Sequence, residues 1–414
     1  MRAINMTSIA TGIFFLLRSG TSAVAGTGDD SIIRRGEYLV RAGDCAGCHT
    51  AQKDKPFAGG VSIPTPFGKI YSSNITPDKE TGIGEWSAED FYSAMHNGID
   101  DEGKRLYPAM PYPWYTKMTR DDVDAIKAYL DTVKPVKQKN KPTQLPWPMN
   151  HRGMMKVWNN MFFKPGEFKP APNRSAQWNR GAYLVEGPGH CSACHTPKNK
   201  LGADKLDQSF AGADSGEHWY APNITADLRT GLGRWRASDI VEYLKTGSNA
   251  FSAASGQMGD VIQNSTQHLT DEDLTAIATY LMNMPIRESD LPVKNIDSLT
   301  MMRGAELYAD NCAACHMENG EGQKGTFPSL GLSSTVQADN PESLIHVVLQ
   351  GSRRPATSAK PTEFAMPEFA SKLSDGDIAD LLTYVRNAWR NQAAAVDDGK
   401  VRDMRKSLLR GAAN

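Results

Sequence analysis

Apolar residues recur at helical spacing in three separated stretches of this chain. They are Val123, Ile126, Leu130 and Val133; Leu274, Ile277, Leu281 and Met284; and Ile378, Leu381, Val385 and Trp389. Steps of three and four residues place each set on one face of a helix. Ahead of each stretch a hydroxyl residue is followed three positions later by an aspartate: Thr119 and Asp122, Thr270 and Asp273, Ser374 and Asp377. That spacing predicts a helix start, because the hydroxyl accepts from backbone N–H groups that the first turn leaves free. Residues 31–42, 176–186 and 300–310 also read as helical. Alternating, strand-like runs are scarce, so the expected class is all-α.

The pattern also repeats. Arg35-Gly36-Glu37-Tyr38-Leu39-Val40 is matched by Arg180-Gly181-Ala182-Tyr183-Leu184-Val185. Further on, Asn74-Ile75-Thr76 and Thr81-Gly82-Ile83-Gly84-Glu85-Trp86 are matched by Asn223-Ile224-Thr225 and Thr230-Gly231-Leu232-Gly233-Arg234-Trp235. The third stretch keeps only Arg303-Gly304 and Tyr308. Repeats of this length define domains. Three tandem domains are expected at 29–135, 174–285 and 299–392, the first two resembling a duplication. Linkers fall at 136–173 and 286–298, and a basic tail at 393–414. The first linker is rich in proline and lysine, yet it carries Trp147, Trp158, Phe162 and Phe163. That is too aromatic for a free spacer, so it is expected to pack on a domain, a partner or a quinone. In the tail, Val401, Met404 and Leu408 share a helical face among basic residues, a pattern that suits either a solvated end or an anionic membrane surface.

Composition changes the picture in two ways. The 414 residues carry 46 Lys+Arg against 47 Asp+Glu, so net charge gives no nucleic-acid signal. Hydrophobic content is 40%, which is low for three cores unless a bound group supplies apolar bulk. Residues 1–25 read as an export signal, with Arg2, an apolar run from Ile9 to Leu17 and Ala23-Val24-Ala25 before Gly26. That run is too short to span a bilayer, and no later stretch is long and apolar enough. A periplasmic chain is expected, with any membrane contact peripheral.

All six cysteines lie in three Cys-x-x-Cys-His motifs: Cys45, Cys48 and His49; Cys191, Cys194 and His195; Cys312, Cys315 and His316. In this pattern two thiols form thioethers to the vinyl groups of a c-type haem, and the imidazole binds its iron. Zinc wants cysteine pairs brought together or joined by spaced histidines, and here each pair has its own histidine. Three covalent c-type haems follow. A helix before each motif that packs on the helix closing the domain is the cytochrome c plan.

The sixth iron position decides between electron transfer and catalysis, because only an open site binds substrate. Methionine opposite histidine stabilises Fe(II) and raises the potential. Met110, Met258 and Met366 lie ahead of the three closing helices and read as loop residues able to cover the open haem face. Met95, Met118 and Met282 read as packing residues, and His96, His268 and His346 are the bis-histidine alternatives. Asn74, Trp86, Asn223 and Trp235 are candidate donors to haem propionates, or else turn-capping and core residues.

At this point the chain resembles a known family. Arg35-Gly36-Glu37-Tyr38, the first motif, Tyr71 to Thr76, Tyr107 to Pro113, Gly187-Pro188-Gly189-His190-Cys191 and Phe364-Ala365-Met366-Pro367 carry the resemblance. They are similar to the tri-haem cytochrome c subunits of bacterial membrane-bound, quinone-linked dehydrogenases that oxidise alcohols, aldehydes, gluconate or fructose. The resemblance implies a complex at the periplasmic face of the inner membrane. A catalytic dehydrogenase subunit of flavin, pyrroloquinoline quinone or molybdopterin type would supply electrons, and ubiquinone would receive them. It implies no substrate chemistry in this chain, which has no dinucleotide fingerprint and no catalytic triad. The rival readings are a haem enzyme such as a peroxidase, a free periplasmic carrier and a terminal-oxidase subunit.

Overall fold

The computed structural model describes residues 28–287 and 296–411. The expected signal at 1–25 and most of the second linker lie outside them. The chain is mostly helical, built on three helix pairs. Gly28–Ala42 packs on Arg120–Leu130, Ala176–Glu186 on Asp271–Met282, and Ser298–Asn311 on Asp375–Val385. Each pair anchors its own apolar cluster, around Val123 and Ile126, around Leu274 and Leu184, and around Ile378 and Ile345.

The Arg-Gly repeat is explained where the helices cross. A Cβ on Gly36 would lie 1.9 Å from the Ala125 carbonyl oxygen, and one on Gly181 would lie 1.9 Å from that of Ala276. Gly304 meets the Asp380 carbonyl at 2.4 Å in the same way. Glycine is therefore required for the two backbones to touch. The preceding arginine then ties the pair together, Arg35 to Asp122 at 2.6 Å, Arg180 to Asp273 at 2.7 Å and Arg303 to Asp380 at 2.6 Å. The expected caps form, with Thr119, Thr270 and Ser374 hydroxyls accepting from the backbone of Asp122, Asp273 and Asp377.

The all-α expectation needs correction. Three two-stranded antiparallel ribbons are present: Ser62–Thr65 with Gly68–Tyr71, Ala213–Gly216 with Trp219–Ala221, and Ser352–Arg353 with Ala365–Met366. Each is too short to show an alternating pattern.

The first linker also departs from a simple spacer. Met154–Phe162 is a helix, and Trp158 is buried with its indole N–H donating to the Leu201 carbonyl at 2.9 Å. Phe163 meets Tyr112 edge-on, and the Asn159 amide donates to the Tyr112 hydroxyl at 2.7 Å while its oxygen accepts from Arg105 at 3.1 Å. The aromatic linker thus joins the first and second units.

The C-terminal helix Asp398–Gly411 lies on the third unit. Val401 and Met404 are buried in its core, and Arg405 bonds Asp375 at 2.7 Å and the Leu373 carbonyl at 2.9 Å. The apolar face of the tail is therefore used internally, which removes it as a membrane-facing stripe. Among the described residues no helix is long and apolar enough to cross a membrane.

Candidate haem sites

Each Cys-x-x-Cys-His motif folds as one short helical turn, at Cys45–His49, Ser192–His195 and Ala313–His316. The turn follows closely on the opening helix in the first and third units, and after the segment 187–191 in the second. One turn of helix brings residues four apart onto one side, so the first cysteine and the histidine face a common space.

The three histidines are held alike. His49 Nδ1 lies 2.6 Å from the Ser73 carbonyl oxygen, His195 Nδ1 lies 2.7 Å from that of Pro222, and His316 Nδ1 lies 3.0 Å from that of Pro328. A carbonyl can only accept, so Nδ1 carries the proton and Nε2 keeps its lone pair. That is the arrangement a metal-binding imidazole requires, with the second nitrogen fixing tautomer and ring orientation. Burial also lowers the pKa of all three rings, which favours the neutral, ligating form.

A glycine completes each cradle. The amides of Gly59, Gly212 and Gly322 donate to the His49, His195 and His316 carbonyls at 2.7, 2.9 and 3.0 Å. All three have positive φ, at 73°, 92° and 66°. A Cβ on Gly59 would sit 2.4 Å from the Ser73 carbonyl oxygen, the same group that orients His49. These glycines were not among the sequence-predicted site residues. The signal was present as a further repeat, Phe57-Ala58-Gly59 and Phe210-Ala211-Gly212.

The cysteines line the same three cradles. Burial pushes the Cys45 and Cys191 thiols up to about 12 and the Cys312 thiol up to about 11. Among the described residues no cluster of three or more His, Cys, Asp or Glu is placed to hold a metal ion, so the cysteine pairs stay apart, each beside its own histidine.

The methionines are less uniform. Met110 packs in the apolar cluster that also contacts Cys45, and Met366 in the cluster that contacts Cys312. The loop assignment holds for Met110 alone. Met258 lies in the first turn of the helix Gly256–Asn264, and Met366 ends a strand of the third ribbon. The helix carrying Met258 also packs against the first unit's Cys45–His49 turn.

The histidine alternatives are occupied elsewhere. His346 is buried, stacks on Trp219 at 4.2 Å and bonds the His218 carbonyl at 3.2 Å. His268 bonds Arg41 at 3.1 Å, and His96 stacks on Tyr92 at 4.9 Å.

The propionate role of the two asparagines is overturned. Asn74 Oδ1 accepts from Thr76, while its amide donates to the Val136 carbonyl at 2.7 Å. Asn223 Oδ1 accepts from Thr225, and its amide donates to the Arg287 carbonyl at 2.9 Å. Both therefore clip the chain leaving a closing helix back onto its unit. Trp235 is buried against Phe251 and Tyr243, a core role, and Trp86 packs on the first cluster.

Comparison with known proteins agrees with this geometry. The cytochrome c family pattern matches residues 33–134, 179–285 and 301–389. The gluconate 2-dehydrogenase cytochrome c subunit of Pantoea cypripedii is 40% identical over 417 residues, covering 94% of this chain and 93% of that protein. The cytochrome c subunit of the quinone-linked alcohol dehydrogenase of Gluconobacter oxydans is 40% identical over 404 residues, covering 93% of this chain and 84% of its own. The fructose dehydrogenase cytochrome subunit of Gluconobacter japonicus is 40% identical over 406 residues, covering 90% and 82% respectively. With covalent c-type haem as its cofactor, and resembling these dehydrogenase cytochrome subunits over most of its length, the chain belongs to the cytochrome c family.

Proposed function

We propose that this chain is an electron relay bearing three covalent c-type haems, one in each of three tandem cytochrome c domains. The observation that carries this reading is the triple recurrence of one cradle: a motif histidine with Nδ1 bonded to a carbonyl and its own carbonyl held by a left-handed glycine. A haem iron takes up and releases one electron at a time. The chain's residues hold it in place. Cys45 and Cys48, Cys191 and Cys194, and Cys312 and Cys315 would supply the thioethers, and His49, His195 and His316 would bind the iron. Met110, Met258 and Met366 would supply the second protein ligands, which would exclude substrates and favour electron transfer.

The first two domains are read as a duplication, supported by their matched cradles, asparagine clips and helix crossings. Contact between the Met258 helix and the Cys45–His49 turn supports a close pair formed by the first and second haems.

The relatives named above are subunits of dehydrogenases, and the chain is read likewise as partner to a separate catalytic subunit of flavin, pyrroloquinoline quinone or molybdopterin type. Electrons pass from that subunit through the haems to ubiquinone. The complex is placed at the periplasmic face of the inner membrane after removal of the signal at 1–25. A redox titration of the purified protein tests the relay directly. Three one-electron steps, with no carbon monoxide binding to the reduced form, are expected. A haem that binds carbon monoxide readily would favour a haem enzyme instead.

A further inference from the structure

The linker helix Met154–Phe162 has three faces. Met155, Trp158 and Asn159 are buried against the first two units. Lys156 and Asn160 form a polar, exposed face. The remaining face is apolar and open: Met154, Val157 and Met161 follow one another at steps of three and four residues, while Phe162, 39% exposed, lies beside Trp158 at the helix end. Trp147, on the turn leading into the helix, is 77% exposed. Leu201, whose carbonyl receives the Trp158 indole, is also exposed beside it. Isolated exposed apolar residues need no explanation, but a contiguous row on one helix face marks an interaction surface.

The linker sequence that carries the helix is basic, although Lys137 pairs with Glu80 at 2.6 Å and Arg152 with Asp100 at 3.7 Å. Residues 132–174 contain seven lysines and two arginines against a single acid, Glu167, in a chain whose total charge is nearly balanced. Protein–protein interface cores are depleted in lysine. Helices lying in the plane of a bilayer combine lysine on the polar side with Trp, Phe and other large apolar residues on the other. Each lysine or arginine near an anionic leaflet adds about 1 kcal/mol of attraction.

We propose that the open face of Met154–Phe162, with Trp147, seats on an anionic lipid surface and holds the cytochrome at the bilayer. This rests on the reading of the chain as a relay that delivers electrons at a membrane. It gives the linker an anchoring role in place of the C-terminal helix, whose Val401 and Met404 face is buried in the third unit.

The test is sedimentation of the full-length holo-cytochrome, oxidised and without a dehydrogenase, with vesicles of phosphatidylcholine alone or with about 30% phosphatidylglycerol. Binding to the anionic vesicles, weakened by salt, is expected. Val157→Asp with Met161→Asp should lower it about tenfold or more, as should Lys156→Glu with Lys164→Glu. Leu409→Asp, at an exposed position on the C-terminal helix, should leave it unchanged. An unchanged haem spectrum and melting temperature establish that the variants fold, and Met154→Gln alone provides a milder change. The proposal is overturned if the wild type ignores anionic vesicles or if the aspartate pair binds them normally. It is also overturned if the aspartate pair loses only its hold on the dehydrogenase. Reduction of the haems by the dehydrogenase in detergent solution tests the relay separately and is expected to survive these substitutions.

Discussion

Tyr38, on the opening helix of the first unit, donates its hydroxyl to Asp273 on the closing helix of the second at 2.5 Å. Tyr183 returns the equivalent bond from the second unit to Asp122 of the first. The two tyrosines occupy matching places in the sequence repeat, so the units meet face to face in a reciprocal manner, as in a two-fold dimer. Each aspartate also receives the arginine of its own unit, so the same carboxylate secures the helix crossing and the interface.

Removing these bonds should loosen the pair. Tyr38→Phe and Tyr183→Phe are each expected to cost about 2 kcal/mol, the value of a hydrogen bond to a charged group. Because they bridge the same two units, the double variant should unfold in two separate calorimetric steps where the wild type shows one for this half of the chain. A double variant that melts like the wild type would show that the bonds contribute nothing.

Acid should act at the same place. Burial alone would raise the Asp273 carboxyl, but bonds from Arg180 and Tyr38 outweigh it and hold its pKa below the ordinary carboxylate range. A group depressed in this way contributes stability that is complete above its unfolded pKa of about 3.9 and is lost as pH falls through the folded value. Thermal stability is therefore expected to be level from about pH 7 to about pH 5 and to drop below about pH 4. In Asp273→Asn the neutral-pH stability should be lower and the acid drop shallower. An identical acid limb in both proteins would assign it to other carboxylates.

The crossing glycines predict a sharper effect. Gly36→Ala and Gly181→Ala place a methyl where a carbonyl oxygen already lies, 1.9 Å away in each case. Neither helix can give locally, so each substitution should cost about 3 kcal/mol or more, at the upper end for overpacking. Haem content per polypeptide, measured by pyridine haemochrome, should fall because each opening helix positions the motif turn that follows it. Full haem loading in Gly36→Ala would mean that the crossing relaxes more easily than the contact distances imply.

Arg386 offers a test in the third unit. It is fully buried, and its guanidinium donates to the carbonyls of Ala394, Val336 and Ala338 at 3.0, 2.8 and 3.0 Å. Burial lowers its pKa to about 10, which leaves it charged at neutral pH. Arg386→Leu strands three carbonyls and should destabilise this unit by about 3–5 kcal/mol while leaving the other two intact. Limited proteolysis should then cut first within 299–392.

Much of this arrangement was legible in the sequence, and the gaps have physical causes. The three helix pairs and their caps follow from apolar spacing and from Thr119, Thr270 and Ser374. The motif cysteines and histidines stand out because they exhaust the cysteines. Asn74 and Asn223 were visible as a repeat, but an amide that clips backbone and one that meets a propionate look the same in sequence. The cradle glycines escaped notice because a left-handed φ becomes evident only once the carbonyl it avoids is in place. The tail shows the limit of amphipathic patterns. Val401 and Met404 announce an apolar face, and only the fold tells whether protein or lipid covers it.

The central claim is that three porphyrins are bound through thioethers at Cys45 and Cys48, Cys191 and Cys194, and Cys312 and Cys315. Intact-mass analysis after acid–acetone extraction measures this most directly. The expected mass is the mature polypeptide plus three haems, falling by one haem in each of three variants that replace both cysteines of one motif by serine. Colour lost to the solvent, or a mass carrying fewer than three haems in the fully matured protein, would contradict it.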